Sequence, residues 1–300
     1  MHTISEYQEF IATYLQEQLH IREPKNLYDP ITYILQLGGK RLRPALTLLS
    51  AEIFNKSYQE AFPAALSIEV FHNFSLVHDD IMDQAPLRRG AVTVHEKWNI
   101  NTGILSGDAM LILAYRYFES YAPHIFKALV TLFSQTALEV CEGQQWDIDF
   151  ETRSDVSLSE YLKMIEYKTA VLIAAAMKMG AIVAETTIEN QNLIYDFGRN
   201  LGLAFQLQDD YFDCFADENI FGKKIGGDIL DAKKTFLYIT AYQSIEDEKD
   251  KQDISETTGL NHYSITIKGP KINLTFSVEE EADLALIQSS LNTIKERLKK

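Results

Sequence analysis

The chain has 300 residues, 46% hydrophobic and 24% charged, the composition of a globular protein with material for a large core in one domain or two. Its 43 acidic against 28 basic residues leave a formal net charge of −15, which argues against nucleic acid as a partner and for a soluble, cytoplasmic protein. Cys141 and Cys214 lack metal-ligand spacing and read as buried reduced thiols, the first ten residues lack the apolar core of a signal peptide, and Lys178 interrupts the apolar stretch 169–184, so no membrane span is expected.

In chain order, helices are predicted over residues 5–20, 30–37, 44–54, 62–83, 92–98, 104–121, 125–149, 158–184, 189–214 and 232–245. Pro24, Pro30, Pro44, Pro63, Pro86 and Pro123 mark breaks between them. Few stretches alternate with period two before residue 260, so the fold class is all-α, with helices around a cavity. From Glu246 the character changes: EDEKDKQDISE reads as a charged, solvated linker. YSITI (263–267) and INLTFSV (272–278) then alternate in polarity around Lys268-Gly269-Pro270-Lys271, the signal of a short β-hairpin. An amphipathic helix over 279–298 closes the chain.

Two segments repeat one acidic pattern: Asp79-Asp80-Ile81-Met82-Asp83 and Asp209-Asp210-Tyr211-Phe212-Asp213 both read DDxxD, at the C-terminal ends of long apolar helices. The outer Asp residues are four apart, so on a helix they share a face and repel each other unless a cation sits between them. Small clusters of hard oxygen ligands suit Mg²⁺, which takes one or two carboxylates and completes its shell with water and substrate phosphate. One such cluster alone reads as a solvated acidic face. Two, each embedded in apolar sequence (Phe74 to His78, Phe205 to Gln208), read as carboxylate walls facing one cavity around a phosphorylated substrate.

Basic loops accompany them. Gly38-Gly39-Lys40-Arg41-Leu42-Arg43-Pro44 gathers three cations after paired glycines, and the absent Ser or Thr after Lys40 excludes a P-loop. Leu87-Arg88-Arg89-Gly90 follows the first acidic cluster, its adjacent arginines able to serve two different phosphates. Gly222-Lys223-Lys224-Ile225-Gly226-Gly227-Asp228 follows the second, with Lys233 and Lys234 beyond. Metal and cations together could bind two diphosphates.

The blocks GGKRLRP, FSLVHDDIMD, LRRG, GQQWD, YKT, FQLQDDYFD and FGKKIGGD, in this order, resemble the trans-isoprenyl diphosphate synthases of the polyprenyl synthetase family. The resemblance covers residues 1–245, a catalytic domain; 246–300 is left unmatched. It implies an isoprenoid-synthase-type helical bundle, a homodimer, and three Mg²⁺ ions gripping an allylic diphosphate. Asp79 and Asp83 would bind two ions and Asp209 the third, with Asp80, Asp210 and Asp213 in support. Arg88, Lys168 and Lys223 would contact the allylic diphosphate, and Lys40, Arg43, His72 and Arg89 the isopentenyl diphosphate. Gln206, Thr169 and the Lys168 carbonyl would face the developing allylic cation, while Gln144, Asp147 and Lys233 match positions near the metal cluster and a closing loop.

Product length would be set along the helix carrying Asp79. Phe74 lies five residues before it and Phe71 eight, on similar faces, with the small Ser75 between Phe74 and the motif. That pattern resembles some geranylgeranyl (C20) synthases, with farnesyl (C15) as the alternative product and ordinary core packing as the plainer reading of both rings. A terpene cyclase would leave Lys40, Arg43 and Arg89 without a task, and a non-catalytic regulatory subunit would tend to lose an Asp motif.

Overall fold

Apolar residues recur around the whole circumference of 62–82, the pattern of a helix buried on every side. In the computed structural model, which describes residues 1–18, 22–215, 228, 233–244, 264–267 and 274–277, that segment is helix α4, Phe62–Met82. Leu66, Ile68, Val70 and Phe71 are at most 1% exposed, each contributing about 1.5–3 kcal/mol by burial. Before it come α1 (Ile4–Gln18), α2 (Lys25–Gln36) and α3 (Leu42–Ile53). After it come the one-turn α5 (Val94–Lys97), α6 (Ile100–Arg116), α7 (Pro123–Glu151), α8 (Leu158–Ile165), α9 (Val171–Val183), α10 (Ile188–Phe215) and α11 (Phe236–Ser244).

The chain forms two compact units. One comprises Met1–Leu138 and Val171–Arg199, where α4 packs on α3 and α6, and α3 on α9. The other comprises Glu139–Ala170 and the described residues from Asn200 on, with a core of Phe150, Val156, Tyr161, Met164, Ile165 and Ile239. The Ser157 hydroxyl and the Glu160 side chain cap each other's backbone at the start of α8, a box worth about 1 kcal/mol.

Several expectations need correction. Pro30 does not start α2; the helix begins at Lys25, after Pro24, and carries Pro30 inside it. Helix α6 begins at Ile100 because the Asn99 side chain accepts the Thr102 N–H at 2.8 Å. The segment 92–98 is helical only over Val94–Lys97. The predicted helix 158–184 is interrupted by a π turn, Glu166–Ala170, between α8 and α9. Cys141 is exposed and Cys214 half-buried; both are free thiols. The late hairpin is present as β3 (Ser264–Ile267) paired antiparallel with β4 (Leu274–Ser277), Ser264 opposite Ser277. The linker and the helix 279–298 lie outside the described residues.

Candidate active site

In the first unit, Asp79 and Asp80 occupy the last turn of α4 and Asp83 its C-cap, with no basic residue in that turn. A helix C-terminus carries partial negative charge, so the backbone adds to the carboxylate field instead of relieving it. The chain then turns back in a minimal hairpin, β1 (Leu87–Arg88) against β2 (Ala91–Val92). Arg89 (φ 54°) and Gly90 (φ 76°) form the left-handed pair that a two-residue turn of this hand requires. That turn sends the two arginines different ways. Arg88 donates to Asp80 Oδ1 through Nε (2.9 Å) and Nη2 (2.5 Å) and comes within 3.7 Å of Asp79 Oδ2. Asp80 is 1% exposed, its Oδ2 has no hydrogen-bond partner, and burial pushes its carboxyl above the usual range although Arg88 pulls the other way.

Arg89 reaches instead to the segment between α2 and α3, donating through Nη1 to the Gly38 carbonyl. A Cβ on Gly39 (φ 133°) would stand 2.7 Å from Arg89 Cζ, so the paired glycines leave the room that the guanidinium fills. Arg43 donates to His72 Nε2 at 3.3 Å. Burial, then Arg43, Arg89 and Arg88, hold the His72 imidazole well below its ordinary value and therefore neutral. Burial also pushes Arg43 down to about 10, against the pull of Glu69. Glu69, 4% exposed and accepting from Asn73 at 3.1 Å, is the countercharge among Arg41, Arg43 and Arg89. Lys40 is exposed beside them.

Along α4 behind the acidic motif, half-buried Phe74 packs between Phe71 (centroids 5.4 Å) and His78 (4.8 Å). Fully buried Phe71 is backed in turn by Phe133 at 5.1 Å, and Phe133 by Phe118 at 5.3 Å. Half-buried Ser75 donates to the His72 carbonyl at 2.8 Å.

In the second unit, a cleft of about 200 Å³ is lined by residues that include Asp147, Tyr161, Lys168, Thr169, Gln206, Asp209, Asp210, Asp228 and Lys233. The π turn presents two of them. Gly143 makes it possible: a Cβ there would lie 2.3 Å from the Lys168 backbone nitrogen, so α7 can approach only at a glycine. Lys168 Nζ donates to Asp147 Oδ2 at 2.5 Å, and Thr169 Oγ1 to Gln206 Oε1 at 3.0 Å. Gln206 Nε2 donates to Asp210 Oδ1 at 3.0 Å, and the Tyr161 hydroxyl donates to Asp210 Oδ2. Asp210 is 3% exposed, and both of its oxygens accept protein donors. Asp213 accepts the Asp228 amide at 3.1 Å, and burial with Asp213 as neighbour pushes Asp228 up to about 7 against Lys233. Half-buried Gln144 lies on α7 one turn before the Asp147 that pairs with Lys168. Lys223 lies outside the described residues. Among the described residues, no three carboxylate, imidazole or thiol groups converge into a metal cage of protein groups alone.

The family model described as Polyprenyl synthetase matches residues 24–265, running past residue 245. The chain is 41% identical over 232 residues to a geranylgeranyl diphosphate synthase of Methanosarcina mazei, covering 76% of this chain and 71% of that one. It is 39% identical over 257 residues to a geranylfarnesyl diphosphate synthase of Natronomonas pharaonis, covering 79% and 75%. A crystal structure of a geranylgeranyl pyrophosphate synthase superposes with TM-score 0.84 at 47% identity, covering all of this chain and 90% of that one. The chain belongs to the polyprenyl synthetase family. Polyprenyl synthetases are trans-isoprenyl diphosphate synthases, so it is a prenyltransferase. The motifs of this polyprenyl synthetase contain most of the polar residues of the cleft, but they gave Asp228 no role and missed Tyr161, as they missed Glu69 in the first unit. Asp228 closes a quoted motif and could have been read from it; the spacing of Tyr161 gives no sign that it meets Asp210.

Proposed function

We propose that the protein extends allylic diphosphates with isopentenyl diphosphate and releases geranylgeranyl diphosphate. The names of its relatives support the reaction, and one feature of α4 carries the length: Phe74 rests on Phe71, which Phe133 backs in turn, and these two buried rings cannot give way to a growing chain. The donor set fits a hard divalent ion, since both acidic helix ends lack a basic residue in their last turn and Asp80 Oδ2 is buried without a partner. Asp79, Asp83 and Asp209 would hold Mg²⁺, three ions in all, with Asp80, Asp210 and Asp213 in support. When bound, Mg²⁺ supplies charge stabilisation to the leaving diphosphate.

The side chains do the rest. Asp80 clamps Arg88 by Nε and Nη2, leaving other guanidinium donors for an allylic phosphate, with Lys168 and Lys223 in the same role. Fixed cations of this kind need no reorganisation as the C–O bond breaks. Thr169 and Gln206 offer oxygens to the allylic cation, which they stabilise without trapping it. Lys40, Arg43 and Arg89 hold isopentenyl diphosphate, and neutral His72, accepting from Arg43, keeps its Nδ1 proton free to donate. The proton lost after carbon–carbon bond formation goes to the departed diphosphate. Lys233 belongs to the closing end of the cleft. A cytoplasmic homodimer is part of the same reading, on family resemblance.

Incubation with Mg²⁺, labelled isopentenyl diphosphate and farnesyl diphosphate, followed by chromatography of the hydrolysed products, tests the reading; the expected product is C20. Termination at C15 makes it a farnesyl synthase. Continuation to C25 favours the reading supported by the geranylfarnesyl relative. No product from any primer removes the enzymatic assignment and leaves a regulatory subunit.

A further inference from the structure

A glutamine amide has a donor end and an acceptor end, and which end faces a reaction depends on what holds the other. In this protein four side chains form an unbroken chain along the cleft wall: Tyr161 donates to Asp210, Gln206 donates to Asp210, and Thr169 donates to Gln206. An ionised carboxylate accepts only, so Asp210 Oδ1 draws Gln206 Nε2 towards itself and turns Gln206 Oε1 to Thr169. Asp210 can impose that orientation only while its own carboxylate is held, and buried Tyr161, 2% exposed, takes its other oxygen.

We propose that Tyr161 is a positioning residue: acting through Asp210, it fixes the Gln206 amide so that its oxygen and Thr169 face the reacting allylic carbon. The proposal rests on the function assigned above to Gln206 and Thr169. With its side chain 2% exposed and its hydroxyl on Asp210, Tyr161 acts through Gln206.

A double-mutant cycle with farnesyl diphosphate as primer is the test. Tyr161→Phe keeps the ring and removes the hydroxyl; kcat is expected to fall about tenfold while both KM values stay within about twofold. Gln206→Leu should lower kcat at least as much, and Tyr161→Phe should add nothing in that background. A Tyr161→Phe enzyme with wild-type kcat, or losses that multiply in the double variant, overturns the proposal. Asp210→Asn is the second arm, and it stands if Tyr161→Phe fails to fold. With the Asn oxygen kept on Tyr161, its amide nitrogen faces Gln206 and forces that amide to invert, so kcat falls even at saturating Mg²⁺. A kcat that saturating Mg²⁺ restores to the wild-type value, or one that never falls, confines Asp210 to metal support or makes it a bystander and overturns the proposal. Wild-type protein that transfers no prenyl group removes the underlying function and the proposal with it; active wild type with insensitive variants removes only the proposal.

Discussion

Asp80 and Asp210 hold the same position in their motifs and are both buried, yet they meet different partners. Asp80 gives one oxygen to Arg88 and leaves the other unpaired, whereas both oxygens of Asp210 accept protein donors. The outer aspartates of each motif are more accessible and sit where the helix dipole disfavours a negative charge. Asp79→Ala and Asp209→Ala should therefore lower kcat by about 10²–10³ or more while leaving the thermal midpoint near or above the wild-type value. Steady-state kinetics and a melting curve on the same samples check both halves; wild-type rates would remove these residues from the metal site. The DDxxD pairs were legible because chemistry between charges is written in spacing: two carboxylates one helical turn apart have few other uses. Glu69 was not legible, because its neighbours Arg41, Arg43 and Arg89 come from distant segments and only folding gathers them.

At the scale of elements, α4 combines a buried apolar body with a charged end. Phe74 and Phe71 are three residues apart, about 4.5 Å along the axis, a distance comparable with one C5 unit. Phe74→Ala should lengthen the main product by one unit, to C25, with Phe71 as the next stop; product analysis that still returns only C20 would dismiss the floor. Most helices could be read from periodicity, and so could the hairpin β3–β4, whose alternation is strict over four residues a side. The π turn was hidden. Nothing in Glu166-Tyr167-Lys168-Thr169-Ala170 breaks a helical pattern, and its cause lies partly in Gly143, where α7 comes too close for a side chain. The early start of α2 and α6 was missed for a smaller reason: Pro24 and Asn99 mark helix entry more strongly than the first apolar residue does.

For the molecule as a whole, a net charge of −15 opposes the approach of any diphosphate, and the basic clusters overcome this only locally. Inorganic diphosphate with Mg²⁺ should raise the thermal midpoint, by an amount equivalent to about 2.7 kcal/mol at a hundredfold excess over Kd. EDTA should abolish most of the rise; an equal shift without divalent metal would show that the cations suffice alone. Among the described residues no helix is long and apolar enough to cross a membrane. The π turn also bears on how such a gene can change. A π turn carries one residue more than the α-helical path it replaces, and each residue advances a helix by about 100°. Loss of the codon for Glu166 or Tyr167 would leave a sequence that still reads as a good helix, yet it would swing Lys168 and Thr169 round relative to Tyr161 and away from Asp147 and Gln206. The exposed pair Ser154 and Asp155, ahead of buried Val156 and the Ser157 cap, would bear a gained or lost codon far more cheaply than this stretch.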